Sequence, residues 1–244
     1  MDRRRVALIT GGAKRVGRAI ALRLASAGFD IAFTYRTSRS DALELVALLS
    51  RGEQREVLAI EADLVDPEAA SDRIGSEIER RFGRLDVLVN NASVYQPGRL
   101  RETDVAMMRL VAAVHVQSPL LLCKRFEATL RQHRGHIINM VDLLSERPSP
   151  QYLIYCASKA ALANLTIGLA RELAPEVTVN GIAPGVVQWP EGYPAVEQER
   201  YLKRVPLGRA GTPADVANLV HFLCTEGSYI TGQIIRLDGG RSIT

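Results

Sequence analysis

Tyr155 and Lys159 are one helical turn apart, and Asp142 stands thirteen residues before the tyrosine at the end of an apolar run. On a helix, an i to i+4 spacing sets the phenol and the ammonium on one face, within reach of one ligand. An ammonium fixed beside a phenol favours phenolate, so the spacing predicts a tyrosine able to donate a proton near neutral pH. Only four of the 31 basic residues are lysines (Lys14, Lys124, Lys159 and Lys203), which makes a lysine at this spot a deliberate compact charge. The same YxxxK pattern also fits a solvated helix face, and the surrounding elements decide between the two.

Those elements alternate. Apolar runs at Val6–Thr10, Ile31–Tyr35, Val57–Glu61, Val87–Asn90, His136–Val141, Val177–Ile182 and Gln233–Leu237 read as buried parallel strands. Helical patterns fall between them at Val16–Ala27, Asp41–Arg51, Pro67–Arg81, Val105–Arg131, Tyr152–Ala174 and Pro213–Thr225. Strict alternation predicts right-handed crossovers and a doubly wound α/β sheet. With no repeat, low-complexity tract or Pro/Gly-rich linker, residues 1–244 are expected to form a single domain. The one long irregular stretch is 184–205, which holds Trp189 (the only tryptophan) and is expected to be a lid or binding loop.

Composition narrows the function classes. The first apolar run stops at Ile9, too short for a secretory segment, and no later stretch reads as long and apolar enough to span a bilayer. Cys123, Cys156 and Cys224 are scattered, without metal-ligand or disulfide spacing, so no metal is expected and the compartment is expected to be the reducing cytoplasm. A net charge of +4 could suit nucleic acid, but the basic residues are interleaved with acids and form no arm, so neither nucleic acid nor membrane is expected as a partner. The denser group Arg3 to Arg5, Lys14, Arg15, Arg18, Arg36 and Arg39 suits a phosphate-rich small molecule better.

A site for that molecule follows the first strand. In Thr10-Gly11-Gly12-Ala13-Lys14-Arg15-Val16-Gly17, glycines at a strand end let the backbone approach a pyrophosphate at the next helix N-terminus. Arg15 occupies the place of the middle glycine of that fingerprint, where it can reach a phosphate or a substrate, or simply cap the loop in solvent. An acid at the end of the second strand would hold the ribose hydroxyls of NAD(H). This chain has Arg36, Thr37 and Ser38 there, which points to a 2′-phosphate and hence NADPH. Asp63 and Leu64, Asn90 to Ser93, and Pro184 and Gly185 follow later strands, at the sheet edge where open α/β sheets bind ligands. Turn formation or helix capping is the alternative role for Asp63 and for the Asn90 segment.

Together, TGGAKRVG, ADL, NNAS, YCASK, NGIAPG, PLGRAGTPADVA and TGQIIRLDGG resemble the short-chain dehydrogenase/reductase family across nearly the whole chain. The resemblance implies a single Rossmann-type domain with a seven-stranded parallel sheet flanked by helices, assembled as a dimer or tetramer. Within the family the chain is most similar to pteridine reductases, including the dihydromonapterin reductase branch, through Arg15, YRTS, NNAS followed by Val94-Tyr95, and NMVD. Most members have a catalytic serine at the place of Asp142.

The resemblance implies that Asp142, Tyr155 and Lys159 are catalytic. It implies that Gly11, Arg15, Val16, Arg36, Thr37, Ser38, Asp63, Leu64, Asn90, Ala92, Ser93, Pro184, Gly185 and Val187 line the cofactor with Tyr155 and Lys159. It implies a pterin or folate substrate held by Arg15, Ser93, Tyr95, Asp142, Tyr155 and Trp189, with Tyr95 stacking on the flat ring or, alternatively, packing within its own loop. His115 departs from the family asparagine that supports a proton relay, and Gln188 stands near the place of a phosphate-binding threonine.

Aspartate in place of serine bears on the substrate. A hydroxyl can donate to a carbonyl oxygen that gains negative charge, whereas a carboxylate repels it unless protonated. Beside a pterin, a carboxylate can accept N–H bonds or pass a proton to a ring nitrogen, which favours C=N over C=O reduction. The expected function is therefore NADPH-dependent pteridine reduction, and the resemblance implies that the enzyme is a homotetramer. A 3-oxoacyl-[acyl-carrier-protein] or general carbonyl reductase is the first alternative, and a non-catalytic NADP-sensing protein the second.

Overall fold

The computed structural model describes residues 4–51, 55–190 and 192–244, so Arg3 of the basic group and Glu191 of the long loop lie outside the described residues. Seven strands form one parallel sheet: β1 Val6–Ile9, β2 Asp30–Tyr35, β3 Val57–Glu61, β4 Val87–Asn90, β5 His136–Met140, β6 Thr178–Pro184 and β7 Ile234–Leu237. Their spatial order is β3-β2-β1-β4-β5-β6-β7. The winding direction therefore reverses between β1 and β4, and the crevice at their carboxyl ends is where such sheets take ligands.

Strand alternation divides the core. Ala7 and Ile9 point to one face, packed under α1 (Arg15–Ser26), α2 (Arg39–Leu49) and α8 (Pro213–Thr225). Val6 and Leu8 point to the other, under α3 (Pro67–Arg81) and the helices that follow it. Because both faces are covered, β1 and β4 are apolar and buried at nearly every position.

Three expectations need correction. The helix expected over Val105–Arg131 is α4 (Val105–Ala112), a π-helical turn (Ala113–Gln117) and α5 (Ser118–Gln132). Pro119 has no N–H for the carbonyl four residues back, that of His115, and the chain widens there. The stretch 184–205 is not wholly irregular, since α7 (Ala195–Leu202) forms within it behind Pro194, its N-cap residue. Finally, Val105–Gln132 and α6 (Leu153–Leu173) are long and apolar enough to cross a membrane by length and composition. Their apolar residues have other partners: Leu122, Phe126 and Leu130 of α5, and Ala170 and Leu173 of α6, belong to the core beneath the sheet.

Candidate active site

The glycine loop is tied to the β4 end by bonds between short side chains and main-chain groups. Thr10 Oγ1 accepts from the N–H groups of Asn91 (2.9 Å) and Ala92 (3.0 Å). The Asn91 side chain donates back to the carbonyls of Thr10 (2.8 Å) and Gly11 (3.3 Å). A Cβ on Gly17 would stand 2.3 Å from the Gly11 carbonyl, so only glycine lets α1 start this close to the loop. Arg15 has φ of 50°, a left-handed conformation at the place of the fingerprint's middle glycine. No side chain caps α1, so its first N–H groups face the crevice without a side-chain partner, as an anion site requires. Val16 lies in that first turn.

The basic group divides. Arg5 precedes β1, at the end of the strand opposite the glycine loop, where its guanidinium lies over Phe29 and donates to the Cys224 carbonyl. Lys14 pairs with Asp41 at 2.9 Å, and Arg18 with Glu44 at 2.7 Å. Arg36, with Thr37 beside it, is exposed just past β2 and makes no ion pair among the described residues.

Several expected cofactor contacts sit differently from the sequence picture. Asn90 turns its amide into the sheet interior, where Nδ2 donates to Asn139 Oδ1 at 2.8 Å, so a contact from this position would come from its backbone. The Leu64 side chain is buried and its carbonyl accepts from Ser118 Oγ. Asp63 shapes its own turn by accepting from Val65 N–H, while Asp66 caps α3. Ser38 precedes α2 as its N-cap residue, and Gly185 N–H bonds the Leu237 carbonyl beside Pro184 at the β6 end.

The three residues singled out for chemistry converge. Asp142 follows β5 as the N-cap of a short 3₁₀ turn (Leu143–Ser145), and its Oδ1 accepts from Leu144 N–H at 2.8 Å. Its Oδ2 accepts from the Tyr155 hydroxyl at 2.7 Å. One carboxylate thus serves both as a cap and as the partner of the phenol. Tyr155 and Lys159 lie on α6 with 5% and 2% of their surfaces exposed.

The electrostatics correct the simplest picture of the pair. Lys159 Nζ donates to the Met140 carbonyl at 2.8 Å and lies 5.7 Å from the Tyr155 ring centroid. Burial lowers the ammonium pKa to about 8, partly offset by the Asp142 charge. The tyrosine is not lowered by its neighbour; burial, then the Asp142 charge, push it well above the usual phenol value. Burial also raises Asp142, against the opposing Leu144 N–H, Tyr155 hydroxyl and Lys159 charge. Phenol and carboxyl therefore form a proton-sharing pair biased toward holding its proton.

Around this pair stands an aromatic wall. Tyr95 is half exposed, stacks on Tyr152 at 4.4 Å between centroids, and meets Tyr155 edge-on at 4.8 Å. One Tyr95 face is covered by Tyr152, so a flat ligand would use the other. The loop carrying Tyr95 is tied to the start of α6 by Gly98 N–H to the Gln151 carbonyl and Leu153 N–H to the Gly98 carbonyl. Across the cleft, Trp189 stacks on Tyr193 at 5.2 Å and meets Tyr201 edge-on. Arg15, exposed at the surface, donates from Nη2 to the carbonyls of Gln188 (3.3 Å) and Trp189 (3.5 Å), joining the glycine loop to the long loop. Val187 packs on the core below.

Tyr152 and Tyr201 escaped a reading by motif. Tyr152 lies three residues before Tyr155, a helical spacing that could have marked it as a neighbour. Tyr201 Oη accepts from Val186 N–H at 3.1 Å, a contact no local pattern encodes. His115 lies in the π turn, with its ring 5.5 Å from Tyr155.

The family model described as "Enoyl-(Acyl carrier protein) reductase" matches residues 11–242. Pteridine reductase 1 of Leishmania tarentolae is 34% identical over 279 residues, covering 98% of this chain and 96% of the relative. The 3-oxoacyl-[acyl-carrier-protein] reductase FabG of Staphylococcus aureus is 34% identical over 239 residues, covering 96% of each. Among solved structures, a short-chain dehydrogenase/reductase from Serratia marcescens superposes with a TM-score of 0.92 at 33% identity, over 98% of both chains. A blue fluorescent protein from a metagenomic library, solved in complex with NADPH, superposes with a TM-score of 0.91 at 33% identity, again over 98% of both. With this fold, this crevice and these relatives, the chain belongs to the short-chain dehydrogenase/reductase family and is an oxidoreductase of that class.

Proposed function

We propose that this oxidoreductase is an NADPH-dependent pteridine reductase that reduces a ring C=N bond of a dihydropterin such as dihydrobiopterin or dihydromonapterin, and that it also takes dihydrofolate. The observation that carries this reading is the Asp142 carboxylate, held 2.7 Å from the Tyr155 hydroxyl instead of turned away from it. A half-buried carboxylate at that place suits a substrate that brings N–H groups and repels a developing alkoxide.

The residues fit the cofactor on three counts: the close glycine approach at Gly11 and Gly17, the uncapped start of α1, and Arg36 free for a 2′-phosphate. When bound, the nicotinamide supplies the hydride. Lys159 keeps two N–H donors beyond the one given to Met140, enough to hold ribose hydroxyls. Tyr155 gives a proton to the ring nitrogen beside the reduced carbon, and Asp142, at hydrogen-bond distance, takes up a proton from solvent and passes it to the phenolate. Arg15, Ser93, Tyr95 and Trp189 bound the substrate. The exposed Ala157, Ala160 and Ile167 on α6 support assembly as a homotetramer, and three unpaired buried cysteines support a cytoplasmic location.

The FabG relative, at the same identity as the pteridine reductase, favours a second reading: reduction of a 3-oxoacyl thioester. A substrate panel separates the two. Purified protein with NADPH is expected to turn over dihydrobiopterin, dihydromonapterin or dihydrofolate faster than acetoacetyl thioesters. Turnover of thioesters alone would overturn the proposal. Binding of NADPH without turnover of any substrate would mark a sensor.

A further inference from the structure

Arg147 follows Asp142 in the loop between β5 and α6 and is exposed, yet one of its nitrogens binds three main-chain oxygens. Nη1 donates to the oxygens of Arg241 (3.2 Å), Ser242 (2.9 Å) and Thr244 (2.8 Å), which lie 94, 95 and 97 residues away. They belong to the 3₁₀ turn Arg241–Ile243 and the residue after it. The neighbouring Glu146 accepts from Arg236 Nε of β7 at 2.8 Å. The loop that begins with Asp142 is thus fastened, at two consecutive residues, to the last strand and the turn beyond it.

The same turn backs the long loop. The Arg241 guanidinium lies over the Tyr201 ring, 5.6 Å from its centroid, and Arg241 Nε is buried without a hydrogen-bond partner among the described residues. Thr244 Oγ1 donates to the Arg204 carbonyl, just past α7, at 2.8 Å. Tyr201 passes the contact on. Its Oη accepts from Val186 N–H at 3.1 Å, and its ring meets Trp189 edge-on at 5.4 Å between centroids. Without that hydroxyl the Val186 N–H would need another acceptor, and the loop would have to shift to supply one.

We infer that Arg147 is a positioning residue for this oxidoreductase: through the Arg241–Ile243 turn it holds Tyr201 in place, and through Tyr201 it sets how far the wall carrying Trp189 stands from the loop carrying Asp142. An exposed ion pair would be worth little here. A cation that gathers carbonyls at the end of a helical turn is different, because those oxygens have no partner within the turn. The device does not depend on which substrate is reduced, since both walls bound the cleft whatever it holds.

Trp189, the only tryptophan, reports on the loop directly. Acrylamide quenching of its fluorescence is measured with NADP⁺ saturating, in the wild type, Arg147→Ala, Arg147→Lys, Tyr201→Phe and the double variant Arg147→Ala/Tyr201→Phe. Arg147→Ala and Tyr201→Phe are each expected to raise the quenching constant at least about twofold, as the half-buried ring is freed. Because one nitrogen makes all three contacts, an ammonium can stand in for it, and Arg147→Lys is expected to reverse most of the change. The double variant is expected to be no looser than the looser single one, since both act on one path. In steady-state kinetics with dihydrobiopterin and with acetoacetyl-CoA, Arg147→Ala is expected to raise KM about tenfold while kcat stays within about threefold, the scale of one or two lost hydrogen bonds. Unchanged quenching in Arg147→Ala, additive effects in the double variant, a lysine variant as loose as the alanine one, or a loss confined to kcat would overturn the inference. Turnover of neither substrate would refute both readings of the activity, and the quenching series would still decide this inference.

Discussion

On the glycine-loop side of the cleft the ties are made by main-chain groups and short side chains, with Thr10, Gly11, Asn91 and Ala92 bonded to one another across the β1–β4 crevice. On the opposite side they are made by large side chains from distant segments. Tyr95 lies on Tyr152, and His115 spans from Ser93 to Ser158. The first side is rigid because backbone positions leave few alternatives, and it serves a cofactor whose phosphates and ribose recur from enzyme to enzyme. The second is held by rings and hydroxyls that single substitutions can re-aim, as specificity requires. Asp142 and Tyr155 stand at the seam, one following β5 and the other on α6.

The contrast gives graded expectations. Tyr155→Phe removes the proton donor shared by both sides and is expected to reduce kcat by about 10³-fold while NADPH binding stays within about threefold. Steady-state kinetics with fluorescence titration of NADPH checks this, and retention of a tenth of the activity would remove the phenol from the chemistry. A smaller effect is expected on the cofactor side. Arg36→Asp should weaken NADPH by about 10- to 100-fold, the loss of one charge-assisted contact, with little change for NADH. Titration of both nucleotides decides it, since equal weakening would show that Arg36 does not face the 2′-phosphate.

The same contrast explains what could be read without coordinates. The buried strands, the glycine loop and the Tyr155, Lys159 and Asp142 set depend on spacing within one or two elements, and strand–helix alternation brings their loops to one edge of the sheet. Pairings between distant side chains leave no such trace. Nothing local says that Arg15 bonds the Gln188 and Trp189 carbonyls, 173 and 174 residues away, or that Asn90 faces inward to Asn139. The tuning of Tyr155 by Lys159 looked secure from spacing, but burial and Asp142 outweigh it, because desolvation depends on everything packed around the ring. The π turn did leave a signal in Pro119, whose missing N–H falls opposite the His115 carbonyl. The helix Ala195–Leu202 was hidden by the prolines and glycines that precede it.

The most direct test is Asp142→Ser, with kcat/KM for dihydrobiopterin and for acetoacetyl-CoA measured side by side in variant and wild type. The expected result is a wild type that prefers the pteridine and a variant in which that preference falls by about 100-fold, the usual scale of a lost proton-transfer group. Undiminished pteridine reduction in the folded variant would contradict the role given to the carboxylate.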